Sequence, residues 1–358
     1  MSRDVPVALV GYGYAGRVFH APLIARTPGL RLHTVVSSDA ARVHADVPQA
    51  VVVADPGAAF ADPAIELVVI AAPNAVHAPL AIAALRAGCH VLVDKPFAAT
   101  LDEARQIAAA ATAAGRIASV FQNRRQDADF LCLRGLVASR ALGEVMELHS
   151  HFDRFRPQVP DRWRERGGPG SGLWMDLGPH LVDQVLDLFG MPLSVQADIG
   201  IQREGAVTDD FFHVLLRYPR LRAILHAGAL VPAGTLRFAV HGTRGSYIKH
   251  GLDAQEAALR AGVAPGGAGW GEDPRPGVLV TPDGGERPVR GPHGDYLACY
   301  AAMRDAVLGL GQAPVSLAQA LAVMQVLDAA QASAASGRTV ALAPASLSAP
   351  PAPAGGRG

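Results

Sequence analysis

The sequence predicts an α/β protein in two parts: a doubly wound parallel sheet at the N-terminus, then an α+β domain with an open, largely antiparallel sheet. Three observations predict this. Short, almost wholly apolar runs alternate with helix-like stretches over residues 5–121. A Gly11-x-Gly13-x-x-Gly16 turn stands directly after the first of these runs, as in a Rossmann unit. From residue 194 to 248, strand-like runs follow one another with no stretch long enough for a crossover helix.

The elements follow in order. Residues 5–10 form an apolar run, then the glycines, then a helix to about residue 24. Residues 32–37, 50–53 and 65–72 read as strands, and 76–87 as a helix stopped by Gly88. A strand at 90–93, an Ala-rich helix at 101–114 ending at Gly115, and a strand at 117–121 complete the first domain, placed at residues 1–125. Such nearly continuous apolar strands are those of a sheet covered on both faces.

After residue 125 the pattern changes. Residues 130–137 look helical, 144–155 are extended and mostly polar, and 161–172 form a loop rich in Arg and Gly. A helix at 181–189 is ended by Gly190 and Pro192. Runs at 195–201, 210–217, 222–229 and 235–241 are the strands of the second sheet, and 251–290 reads as a Gly/Pro-rich loop. Helices at 296–308 and 317–336 close the second domain, placed at 126–340, and segment 295–336 is expected to pack back on the first. Residues 343–358 are low-complexity and expected to be disordered.

The 358 residues suit two domains, and half of them are apolar, enough for sizeable cores. Lys plus Arg (32) equals Asp plus Glu (32), which argues against broad attraction to nucleic acid or an anionic membrane. Cys89, Cys132 and Cys299 are odd in number and far apart, so neither a disulfide framework nor a thiolate zinc site is expected. The N-terminus enters a strand without a signal-like pattern, and no apolar run is long enough for a membrane span. The expectation is a cytoplasmic protein.

In the glycine turn, Gly11 permits a tight bend, Gly13 lets backbone approach a pyrophosphate, and Gly16 allows close helix–strand packing. Tyr14 and Ala15 complete it. The alternative is a glycine turn with no ligand; its place at the head of a βαβ series favours a dinucleotide. An acidic residue at the end of the second strand would bind a ribose 2′-hydroxyl and repel a 2′-phosphate. Here Ser37 and Ser38 occupy that end, and Arg42 follows, which favours NADP over NAD; Asp39 is the contrary residue.

Lys95 ends a predicted parallel strand, the edge where ligands lie in open α/β sheets, and is one of two lysines in the chain. It is either a solvated strand end or a group that binds and polarises a substrate hydroxyl. Asp176 and His180, four apart in WMDLGPHLVD, share a helix face, with Pro179 expected in the first turn. They are either an N-cap beside an unrelated histidine or a general base oriented by a carboxylate. His149, His151 and Asp153 alternate on one strand, but they read as polar strand residues, and no metal is expected.

Together these residues resemble the Gfo/Idh/MocA oxidoreductase family. The likeness spans residues 5–340 and rests on GYGYAGRVFHAPLI, AAPNAVHAPLA, HVLVDKPFA, FQNRR and GSGLWMDLGPHLVD. HFDRFRPQVPDRWRERGGPGSG is similar to a subgroup containing scyllo-inositol 2-dehydrogenases that use NADP or NAD. The resemblance implies that Lys95 is the family's E-K-P lysine, here preceded by Asp94, and that Asp176 and His180 are its D-x-x-x-H pair. It places a T-P-N cofactor loop at Ala72, Pro73 and Asn74 with His77 nearby, Asn123 and Arg124 beside the nicotinamide, and Trp163 and Arg164 over the cofactor. It also implies a homodimer or homotetramer.

The expected activity is therefore hydride transfer between NADP, or NAD, and a secondary alcohol of a cyclic polyol, scyllo-inositol first. Lys95, Asp176 and His180 are the expected catalytic group. His151, Asp153, Arg154, Asp161 and Trp174 are the expected hydroxyl-binding residues beside them. A sugar or diol dehydrogenase is the alternative enzyme; a dinucleotide sensor without turnover is the alternative of another class.

Overall fold

A computed structural model describes residues 3–342; the expected disordered tail at 343–358 lies outside them. The first sheet holds β1 (Val5–Val10), β2 (Leu30–Val36), β3 (Val51–Val53), β4 (Leu67–Ile70), β5 (His90–Asp94) and β6 (Ala118–Phe121). Every pair in it is parallel, in the order β3-β2-β1-β4-β5-β6. That order reverses between β1 and β4, so a crevice opens at their C-terminal ends, where open α/β sheets bind ligands. The crossovers are α1 (Ala21–Arg26), α2 (Ala40–Asp46), α3 (Pro56–Phe60), α4 (His77–Arg86) and α5 (Leu101–Ala114). The first begins as a π-helical turn, Gly16–His20. α5 starts with a Thr100–Glu103 capping box and stops at Gly115, whose φ of 60° suits a left-handed cap.

α6 (Ala128–Ala138), β7 (Val145–His151) and α7 (Gly172–Phe189) lead into the second domain. Its nine-stranded sheet adds β8 (Ser194–Gly200), β9 (Phe211–Arg217), β10 (Arg222–Gly228), β11 (Leu236–Gly242), β12 (Gly245–His250), β13 (Gly277–Val280), β14 (Glu286–Val289) and β15 (Val340–Ala341). The order is β14-β13-β12-β11-β7-β10-β9-β8-β15. Among the described residues only β7 and β10 pair in parallel here; the other ladders are antiparallel. The stretch 251–290 is not wholly loop, since it also holds α8 (Gln255–Arg260).

Buried and exposed residues alternate along β7, β9 and β10. One face of the sheet therefore packs on α7 and on α10 (Leu317–Ser336), and the other is open. α9 (Leu297–Val307) puts Tyr300 and Met303 into the core of the first domain. Ser119 Oγ on β6 donates to the Val315 carbonyl, and Arg304 Nη1 donates to the Pro28 carbonyl. Among the described residues, no helix is long and apolar enough to cross a membrane.

Candidate active site

A cleft of about 1110 Å³ runs from the β1–β4 switch point to the N-terminal half of α7. At one end, Gly11 has a φ of 95° and a carbonyl neighbour, Ala71 O, only 2.5 Å from where a Cβ would stand. A Cβ on Gly16 would lie 2.1 Å from the Gly11 carbonyl, so Gly16 serves close packing and does not line the cleft. A Cβ on Gly13 would meet nothing within 4 Å; that side of the turn is bare backbone facing open space. A pyrophosphate fits such a cradle.

Tyr14, Ala15, Ser37, Ser38, Asp39 and Arg42 line the same end. Asp39 caps α2 by accepting the Arg42 backbone N–H at 2.9 Å, so its carboxylate is engaged by its own helix. Ser37 Oγ accepts the Asp39 N–H at 3.1 Å. Ala72, Pro73, Asp94, Asn123, Trp163 and Arg164 form the middle. Asn74 and His77 do not line it; both are buried supports. Asn74 Nδ2 donates to the Gly170 carbonyl at 2.7 Å, fastening the Arg-rich segment to the cofactor loop. The His77 ring lies 2.8 Å from the Pro96 carbonyl and 2.9 Å from the Ala72 carbonyl.

At the far end stand Lys95, Asp176 and His180. α7 begins at Gly172, so Pro179 sits inside the helix rather than in its first turn. Its ring offers no N–H to the Met175 carbonyl one turn back. On the next residue, the Asp176 carbonyl accepts Lys95 Nζ at 2.8 Å, and Asp176 Oδ1 accepts the same ammonium at 3.0 Å. Arg154 Nη1 and Arg164 Nε lie 3.6 Å from the two carboxylate oxygens. Burial resists ionisation of Asp176, but Lys95, Arg164 and Arg154 outweigh it and hold the carboxyl well below its usual range.

This revises the expected role of Asp176. Its carboxylate faces three cations and makes no hydrogen bond to His180, whose Nδ1 is buried and unpaired. Burial first, then the Lys95 and Arg124 charges, push the His180 imidazole well below its ordinary pKa, so it stands neutral. Arg154 is the one expected substrate-binding residue outside that trio that lines the cleft. Burial lowers its guanidinium to about 10, against the opposing pull of Asp176.

The other four do not reach it. Trp174 is fully buried, edge-on to Phe212, and its indole N–H donates to the Leu327 carbonyl at 3.2 Å; it is core. Asp161 is exposed and paired with Arg166. His151 and Asp153 lie on the open face of the second sheet, because side chains alternate and Arg154 takes the cleft side.

Sequence reading missed Glu256 and Arg260, which α8 brings to the cleft, and the ion pair of 2.7 Å between Arg124 and Glu256. Altogether eight cationic side chains and four carboxylates line the cleft, a surplus that suits a polyanionic dinucleotide.

Residues 5–122 match the family described as an oxidoreductase family, NAD-binding Rossmann fold, and residues 134–342 match its C-terminal alpha/beta domain. The chain belongs to the Gfo/Idh/MocA oxidoreductase family. As a Gfo/Idh/MocA protein it is an NAD(P)-dependent oxidoreductase. It is 53% identical to the oxidoreductase YdgJ of Escherichia coli, over 92% of this chain and 96% of that one. It is 37% identical to scyllo-inositol 2-dehydrogenase (NADP(+)) IolW of Bacillus subtilis, over 94% and 96%. The solved structure of the oxidoreductase yvaA from Bacillus subtilis superposes with a TM-score of 0.93 at 37% identity, covering 96% of this chain and 99% of that one.

Proposed function

We propose that this Gfo/Idh/MocA protein is an NADP-preferring dehydrogenase acting on a secondary alcohol of a cyclic polyol, with scyllo-inositol and its 2-keto partner as the first pair. The observation that carries the reading is the placement of a fixed lysine and a neutral buried histidine at the end of a dinucleotide-shaped cleft. Support for the substrate class is the likeness to a scyllo-inositol 2-dehydrogenase over nearly the whole chain.

The Gly11–Gly13 turn would hold the pyrophosphate. Ser37, Ser38 and Arg42 would hold a 2′-phosphate. Three features favour NADP: a neutral strand end, an Asp39 carboxylate engaged by its own N-cap, and an Arg42 guanidinium with no carboxylate partner among the described residues. When bound, the nicotinamide supplies the hydride acceptor or donor.

The chain supplies the proton handling. Lys95, held by Asp176 at two atoms, presents a positive charge to the substrate hydroxyl and stabilises its developing oxyanion. His180, kept neutral, takes the hydroxyl proton in oxidation and returns it in reduction. Asp176 is a positioning residue: it fixes the ammonium and offsets part of the charge of Arg154 and Arg164.

The test is initial-rate oxidation of scyllo-inositol, myo-inositol and glucose with NADP and with NAD, comparing wild type with His180→Ala. The expected result is turnover of an inositol with NADP that collapses in the variant. Turnover of glucose alone would move the substrate to the sugars. Tight NADPH binding with no turnover of any of these would sink the polyol assignment and favour a sensor.

A further inference from the structure

The open face of the second sheet carries a row of histidines that the cleft does not use. β7 and β10 run parallel with His226 opposite His151, and His213 on β9 stands opposite His226. The ring centroids of His151 and His226 are 5.0 Å apart, and those of His213 and His226 are 5.6 Å apart. Backbone bonds from Phe152 and Arg154 to the His226 and Gly228 carbonyls continue the extended chain past β7. Asp153 therefore emerges on the same face as His151.

We propose that His151, Asp153 and His226 form a binding site for a divalent transition-metal ion of the zinc type. His151 Nδ1 lies 3.2 Å from Asp153 Oδ2, and His226 Nε2 lies 3.4 Å from Asp153 Oδ1. One donor atom from each of the three residues falls within 4.8 Å of the others. The two histidine–carboxylate separations, each to a different oxygen of Asp153, are close to the ligand–ligand edge of about 3.4 Å of a tetrahedral ion with bonds of about 2.0–2.1 Å.

The carboxylate is already oriented by the protein: its side chain is 5% exposed, and Oδ1 accepts the Gly228 N–H at 3.0 Å. His226 Nδ1 is buried without a hydrogen-bond partner. Two imidazoles and one carboxylate suit zinc and its borderline neighbours better than calcium or magnesium. Three protein ligands leave the fourth position open. The sheet itself separates this site from the cleft.

The experiment uses full-length, untagged, chelator-treated protein titrated with zinc chloride in a calorimeter, with metal analysis after dialysis. Wild type is expected to retain one equivalent. Asp153→Asn and His226→Ala should each weaken binding by at least about a hundredfold. His180→Ala, in the cleft, should bind zinc as wild type does. The idea is overturned if wild type takes up no zinc, or if both ligand variants bind it as tightly as wild type. Unchanged NADPH binding by the variants shows that they fold; if His226→Ala does not, His151→Gln with Asp153→Asn decides the matter.

Discussion

Replacing Asp176 by Asn removes one charge from a carboxylate shared by three cations while keeping its shape. At the 3.0 Å separation from Lys95, an effective dielectric of about 20 gives an attraction of about 5.5 kcal/mol. Both side chains are 13% exposed, so water screens part of this, and the bond from Lys95 Nζ to the Asp176 carbonyl survives the substitution. About half the attraction, roughly 2–3 kcal/mol, is left as the coupling, at or below the low end of the about 3–5 kcal/mol that breaking a buried pair costs. The variant should therefore lose about 30- to 150-fold in kcat/KM. The assay is a double-mutant cycle on kcat/KM with Lys95→Met. If Asp176 works through Lys95, the double variant is little worse than Lys95→Met alone, and the coupling is about 2–3 kcal/mol. A parallel cycle with His180→Ala should show much weaker coupling. Additive losses with Lys95 together with strong coupling to His180 would refute this and restore Asp176 as the group that orients the imidazole.

Ser37→Asp puts a carboxylate at the end of β2, where the cleft is lined by neutral hydroxyls, and should lower kcat/KM with NADP at least about tenfold while sparing NAD; an unchanged ratio would show that this strand end does not read the 2′-phosphate. His180 has its folded pKa depressed, so its neutral form persists as pH falls below 6.5 and oxidation should hold its rate from pH 7 into the acid range. The linked stability is full above the unfolded pKa of about 6.5 and is lost as pH falls toward the folded value, so urea midpoints of wild type should drop with acid more than those of His180→Ala. Trp174→Phe should destabilise the protein by about 1–3 kcal/mol, through the lost indole bond to the Leu327 carbonyl and lost volume, with KM unchanged; a raised KM at wild-type stability would return Trp174 to the substrate site.

Much of the first domain was legible because its signals are local. A glycine turn after an apolar strand, a lysine at a strand end and a histidine four residues beyond an aspartate all lie within short windows. What the residues touch was not local. Asp176 meets Lys95 across 81 positions, and no spacing rule ties α7 to the end of β5. Some misses had a signal that was present and outweighed. Adjacent residues on an extended strand cannot share a face, so Asp153 and Arg154 could not both point at one substrate. Trp174 stands seven and eleven positions before Leu181 and Val185, a helical stripe that marks core once the helix is taken back to Gly172. Glu256 and Arg260 escaped because α8 is six residues long in a Gly/Pro-rich stretch.

The return of the C-terminal chain to the first domain bears on how ligands come and go. A hinge between the domains would have to break the Ser119–Val315 and Arg304–Pro28 bonds and pull Tyr300 away from His20, to which it is joined at 2.6 Å. The two jaws of the cleft are therefore tied together. The segment from Arg156 to Ser171, which lends Arg162, Trp163 and Arg164 to the cleft lining, is tied down by the Glu165–Arg203 pair and by the bond from Asn74 to the Gly170 carbonyl. Passage into and out of the cleft then falls to this short segment rather than to a domain hinge, and where product departure limits turnover, loosening either tie should speed the enzyme.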